Sequence, residues 1–230
     1  MRLTRRDLAG LVVALAVATV CARLGLWQLE RLSQRRARNA AVLAARHRPT
    51  VAVTSALPAD SAQSRRLYAR GVYDYDNERL WRGRSYQGVP GVALVTPLRL
   101  PDGAAVLVDR GWAPSPDAYH VDERAYREAD TAVVLGLGML APRGRGDVDP
   151  ARLRDSVPYP LLPFVLQQVP PSTALDRPPP PGLVRWAMPE LSDGPHLSYA
   201  IQWFSFAVIA VVGSLALARK RAGEAEVTHK

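Results

Sequence analysis

Cysteine is almost missing from this 230-residue chain: Cys21 stands alone, so the chain can close no internal disulfide and has no Cys-x-x-Cys pair. Thiol exchange and thiolate-based copper handling are therefore poor readings of it. Lysine is nearly missing too, confined to Lys220 and Lys230, while arginine is abundant; this is a compositional bias rather than a designed phosphate surface. No Ser/His/Asp set, phosphate-cradling glycine loop or carboxylate–histidine metal signature stands out, and a hydrolase or kinase would need one of them. The expectation is a protein that is not an enzyme.

What the chain does have is two long apolar runs, Leu8–Leu26 and Tyr199–Ala218. The second carries no charged side chain over twenty residues, about the length a helix needs to cross the hydrocarbon core with its backbone bonded internally. The first is interrupted by Arg23, whose stem can snorkel toward headgroups, and is followed by Trp27, suited to an interfacial anchor. The basic start MRLTRR also fits a secretory signal, but no small-x-small cleavage site follows and Val20 ill suits lipidation at Cys21. An uncleaved span is expected.

Basic flanks orient the spans. Arg219, Lys220 and Arg221 follow the second, while Glu190 and Asp193 precede it. Both termini are then cytoplasmic and the middle of the chain lies outside, at the cell's inner (plasma) membrane. The formal charge of +9 sits largely beside the spans, where orientation and contact with anionic membrane lipids explain it; nucleic acid is not an expected partner.

Between the runs, Glu30–Arg46 is rich in helix formers and continues the first helix beyond the membrane, up to Pro49. Thr50–Ser64 reads as a loop with one short strand. From Leu67 short strands alternate with turns: YARGVYDY, RLWRGRSYQGVPG, then VALVTPL and AAVLVDRGW around the turn Pro101–Gly103, the strongest hairpin signal in the chain. Thr131–Ala141 and Pro163–Gln168 are further strands, giving an antiparallel sheet or partly closed barrel. Arg143–Pro195 is proline-rich, and Asp176–Gly182 reads as a stiff surface segment. The expected fold is an α+β membrane protein, two transmembrane helices flanking an extracytoplasmic, mainly antiparallel β domain. Its segments are 1–7 inside, 8–29 spanning, 30–198 outside, 199–218 spanning and 219–230 inside.

Two places hold candidate chemistry. Asp109-Arg110-Gly111-Trp112 reads as a structural strand end, with direct ligand contact as the alternative. His196, three residues before the second span and with Trp186, Trp203 and Phe204 near it in sequence, offers a nitrogen that could ligate haem iron or simply anchor at the interface. His47, His120 and His229 lie in loop or tail contexts and have weaker cases.

Three blocks, LGLWQLERL at Leu24–Leu32, GVALVTPLRLPDGAAVLVDRGWAP at Gly91–Pro114 and HLSYAIQWFSFA at His196–Ala207, resemble the Surfeit-locus cytochrome c oxidase assembly proteins in content and order. The approach Asp193-Gly194-Pro195 departs from the asparagine-rich approach common in that family. The resemblance implies a cytochrome c oxidase assembly factor that binds haem a transiently and assists its insertion into the large catalytic subunit. A haem-free membrane chaperone or scaffold is the alternative. It also implies His196 as the haem-iron ligand, with Tyr199, Gln202, Trp203, Trp27 and Gln28 as further cofactor-binding candidates. The implied partners are the large catalytic subunit of the oxidase and the enzymes of haem a biosynthesis.

Overall fold

No proline interrupts the chain between Arg5 and His47, and alanine, leucine, arginine and glutamine, which lose little side-chain freedom in a helix, dominate it. In a computed structural model that describes residues 5–141, 148–170 and 178–227, this stretch is one helix, α1 (Arg5–His47), ending just ahead of Pro49. There follow β1 (Val51–Ala52), the single turn α2 (Ala59–Ala62), β2 (Arg66–Tyr73), β3 (Arg79–Tyr86), β4 (Val89–Arg99), β5 (Ala105–Pro114) and β6 (Thr131–Leu140). The short α3 (Pro150–Leu153), β7 (Leu161–Gln168) and the long α4 (His196–Val227) complete the order. The chain divides into two compact units, residues 1–41 with 191–230, and Val42–Glu190.

In the second unit the described strands form one sheet in the order β1-β2-β6-β7-β5-β4-β3, and an added β2–β4 pairing closes it. The ring β2-β6-β7-β5-β4 is thus a small barrel, with β3 continuing from β4 and β1 from β2. Most neighbours are antiparallel, as expected, but β5 pairs with β7 and β1 with β2 in parallel. The β4–β5 hairpin turns at the foreseen Pro-Asp-Gly.

Alternation along the strands sorts residues to two sides. Leu67 and Ala69 of β2, Val106 and Val108 of β5, Val134 of β6 and Phe164 and Leu166 of β7 pack in one cluster. Ala93, Val95, Leu107 and Val165 pack in another, covered by Leu153 of α3 and by Trp186. Strands β4 and β5 are therefore buried on both faces, which is why VALVTPL and AAVLVD read as continuous apolar runs rather than alternating ones. Pro163 stands on an interior strand, where it can give no ladder N–H; the β5–β7 register shifts across this stretch to accommodate it.

Two segments depart from the sequence expectation. Thr50–Ser64 holds the expected short strand, β1, and in addition the helical turn α2. The residues after the proline run are not merely a surface return: Leu183 and Arg185 are buried, and Val184 bridges Trp112. The run itself, Asp176–Gly182, begins outside the described residues.

In the first unit, α1 and α4 run antiparallel. Helix α4 begins at His196, one turn before the apolar run that starts at Tyr199. Both helices are long and apolar enough to cross a membrane, and their apolar side chains, Val12, Val13, Ile209 and Val212 among them, face outward. Such surfaces suit lipid, not water.

Candidate functional site

Four residues of α1 are buried at intervals of four, three and four: Cys21, Gly25, Gln28 and Leu32. That spacing keeps them on one stripe of the helix. A Cβ added at Gly25 would lie 2.8 Å from the Phe204 ring, so glycine is what lets α1 and α4 approach, as small residues do where membrane helices meet. On α4, Ala200 is buried one turn from His196.

One polar pair interrupts this apolar seam. His196 Nδ1 lies 2.9 Å from Gln28 Oε1. A carbonyl oxygen only accepts, so in the neutral ring Nδ1 carries the proton and donates it to Gln28, leaving the Nε2 lone pair uncommitted. An amide oxygen on the rear nitrogen is also the arrangement that fixes tautomer and ring direction in metal-ligating histidines. The histidine is half-buried and stands where a tight turn at Gly194 (φ +72°) feeds the helix.

That turn is tied to α1. Arg35 Nε and Asn39 Nδ2 both donate to the Ser192 carbonyl, at 3.0 and 3.1 Å, and Arg36 Nε donates to Asp193 Oδ2 at 2.8 Å. Ser198 Oγ donates to the Pro195 carbonyl. The departing sequence Asp193-Gly194-Pro195 therefore has its own anchoring, through an aspartate and an arginine.

Of the other candidates, Gln28 is the one brought to His196. Trp203 is half-buried, its ring edge-on to Phe206 at 5.9 Å. Trp27 and Tyr199 are 50% and 45% exposed, and Gln202 is exposed as well. Trp27 lies one residue off the buried stripe, and Gln202, two residues from Ala200, lies on the far side of α4. Trp186 belongs to the β unit, where its Nε1 donates to Asp109 Oδ1 at 3.0 Å.

In the β unit the Asp109–Trp112 block has the structural use. Arg110 shares the inward face of β5 with Val106 and Val108 and is fully buried, so its charge needs partners. Its Nη1 donates to Glu78 at 2.7 Å, its Nε to Glu128 at 3.2 Å, and its Nη2 to the Tyr126 carbonyl. Thr96 completes the link to Glu78, and Arg185 donates to both Glu128 and the Arg110 carbonyl. Burial works against the Arg110 charge, but Glu78, Tyr75 and Glu128 outweigh it and hold the guanidinium protonated. Asp109 points to the other face. Burial pushes its carboxyl up to about 6, opposed by the Trp186 hydrogen bond and by Arg84, which is stacked between the Trp81 and Trp186 rings. Gly111 adopts φ +133°, and a Cβ there would collide with the Val184 carbonyl. Glu78, Glu128 and Arg185 were missed in the sequence. The available signal was Arg110 itself, a charge in register with core valines.

Two helices long and apolar enough to cross a membrane, in close approach at Gly25, together with a small β-barrel unit, are the architecture of a membrane protein that carries a folded β domain. The SURF1 family model matches residues 15–208. Uncharacterized SURF1-like proteins of Mycobacterium bovis and of two strains of Mycobacterium tuberculosis are each 29% identical, the alignment covering 90% of this chain and 81% of each relative. The chain belongs to the SURF1 family, whose general role is the assembly of cytochrome c oxidase.

Proposed function

We propose that this protein is an oxidase assembly factor that binds haem a through His196 and assists its insertion into the large catalytic subunit of cytochrome c oxidase. The observation that carries the reading is the 2.9 Å contact between Gln28 and His196. It orients the ring and leaves Nε2 as a lone-pair donor at the end of an apolar helix pair. The residues present fit haem in this respect: an imidazole nitrogen as a ligand for iron, on a helix whose next turns are apolar and include Phe204. When bound, haem supplies the redox and oxygen chemistry of the enzyme that finally receives it. The part played by this chain is to hold and release.

Gln28 fixes the imidazole, His196 offers Nε2, and the apolar helix faces exclude water. A single histidine ligand in an exchangeable setting suits transfer better than permanent retention. Trp27, Tyr199, Gln202 and Trp203 stand as further candidates for contact with the macrocycle. The basic residues Arg219, Lys220 and Arg221, on α4 just beyond its apolar run, support a topology with both termini in the cytoplasm. The β unit then lies outside, at the plasma membrane. The partners in this reading are the large catalytic subunit of the oxidase and the membrane enzymes that make haem a.

The test is an optical and extracted-pigment assay of the full chain, purified from cells that make haem a, beside His196→Ala. Stoichiometric haem a that disappears in the variant supports the reading. Equal pigment in both, or none in either, overturns it in favour of a haem-free assembly scaffold.

A further inference from the structure

A second site lies wholly within the β unit. A groove of about 600 Å³ runs along the outer face of β6, within the usual size of small-molecule sites, about 300–1,000 Å³. Its floor is Thr131, Val133 and Leu135, alternate residues of one strand face, which span roughly 14 Å at about 3.4 Å per residue. Val133 is 68% exposed and Tyr68, directly across from Leu135 on β2, is 43% exposed. An apolar strip this open on a barrel wall is costly unless something covers it.

Its polar lining holds both acceptors, Glu128 and a Gln168 Oε1 that is buried with no hydrogen-bond partner among the described residues, and donors. Arg70 stands exposed opposite Val133, and Arg185 borders the groove where Glu128 does. Tyr73, on an inward position of β2, borders it at the end where Glu128 and Thr131 do. The residue is 5% exposed, and its hydroxyl is buried with no hydrogen-bond partner among the described residues. Burial pushes the phenol well above its ordinary range, so it stays protonated and available to donate. Leaving such a group unpaired is unfavourable by an amount comparable to a lost hydrogen bond. Among the described residues the one carboxylate lining the groove, Glu128, is already held by Arg110 and Arg185, so the cation Arg70 is uncompensated there.

We propose that this groove binds an amphipathic organic carboxylate, with the carboxylate at Tyr73 and Arg70 and the apolar body along Val133, Leu135 and Tyr68. The site shares no residue with the His196 site and does not depend on haem ligation. A chain-like acid and a flat tetrapyrrole dicarboxylate both meet its chemistry, and the experiment separates them.

The full chain in phosphatidylcholine nanodiscs is titrated calorimetrically with decanoate, with decanol and with metal-free deuteroporphyrin, subtracting the heat of empty nanodiscs. A metal-free porphyrin cannot be ligated by a histidine, and Tyr73→Phe and Arg70→Ala, which lie outside the helix pair, assign its binding to the groove. At least one of the two acids binds saturably, and the tighter of the two defines the shape of the body. Decanol binds at least about tenfold more weakly than decanoate if the chain-like acid is the ligand. Tyr73→Phe and Arg70→Ala each weaken the bound acid by about tenfold or more, as loss of a hydrogen bond to a charged group should. Tyr73→Phe keeps or raises the thermal midpoint, since the hydroxyl it loses is unpaired. No saturable binding of either acid, or wild-type affinity in Tyr73→Phe, overturns the proposal.

Discussion

In the β unit, each of the three guanidinium nitrogens of Arg110 has a partner; in the helix pair, His196 has a partner for one ring nitrogen, Gln28. The first network is saturated: two arginines, two glutamates, a threonine and two backbone carbonyls answer one another inside the barrel. A saturated network rigidifies and has nothing left to offer a ligand. The second is half-made, with one nitrogen held so that the other points somewhere definite. The comparison separates polar residues that hold a fold from polar residues that stand ready for something else.

The sharpest way to break it is inside the barrel. Arg110→Met leaves Glu78 buried and Glu128 half-buried beside an apolar side chain, and removal of one partner of a buried ion pair typically costs about 3–5 kcal/mol. Thermal unfolding followed by the fluorescence of Trp81, Trp112 and Trp186 should show a large drop in midpoint for this variant. A loss under about 1 kcal/mol would mean that the network is not structural.

Asp109 gives the next largest effect and a defined sign. Its folded-state value is raised to about 6 from an ordinary 3.8, so between those values the folded state binds the proton more tightly than the unfolded one. Stability contributed by this group is present below the unfolded value and is lost as pH rises to about 6, by up to roughly 3 kcal/mol at 1.36 kcal/mol per pH unit. Asp109→Asn keeps an oxygen to accept from Trp186 and Gly111 and removes the charge. The difference between the wild-type and variant stability curves should therefore fall across pH 4–6 and be flat above; a difference that is flat throughout refutes a strained carboxylate.

How much of this could be read from the sequence differs between the two units for a physical reason. The helices and most strands were legible because hydropathy and alternation are local signals, and α1, the β4–β5 hairpin and β6 fall close to where the pattern puts them. The parallel β5–β7 pairing and the β2–β4 closure were not, since pairing between distant strands leaves no local mark. The burial of Arg185 was hidden by the proline-rich stretch before it, which reads as surface. At the helix pair, the sequence offered His196 and the family resemblance added Gln28, but their contact joins residues 168 positions apart and only the fold supplies it. Tyr73 gave no signal at all, because an aromatic residue on an inward strand position reads as ordinary core.

At the seam, Gln28→Leu removes the acceptor that holds His196 while leaving the barrel untouched. Loss of a partner behind a metal-ligating histidine typically weakens binding 10- to 100-fold. Haem affinity by optical titration should fall by that order, and the thermal midpoint of the β unit should not move. Gln28→Glu, which keeps an acceptor in place, should retain most of the affinity. If Gln28→Leu binds as wild type does, the half-made pair is an ordinary interhelical hydrogen bond and the contrast with the barrel loses its functional side.

The smallest effect expected lies in the turn that delivers His196 to the helix. Arg36 and Asp193 form an ion pair whose side chains are 59% and 44% exposed, and pairs of this kind contribute about 0–1 kcal/mol, less in salt. Arg36→Ala should change haem affinity by less than about fivefold, because Arg35 and Asn39 still donate to the Ser192 carbonyl and keep the turn against α1. Removing Arg35 and Asn39 together should cost more than removing Arg36, since two hydrogen bonds to one backbone oxygen then vanish and the turn leading into His196 loses both. The reverse order would assign the anchoring to charge rather than to the backbone contact, and would make the affinity strongly dependent on salt.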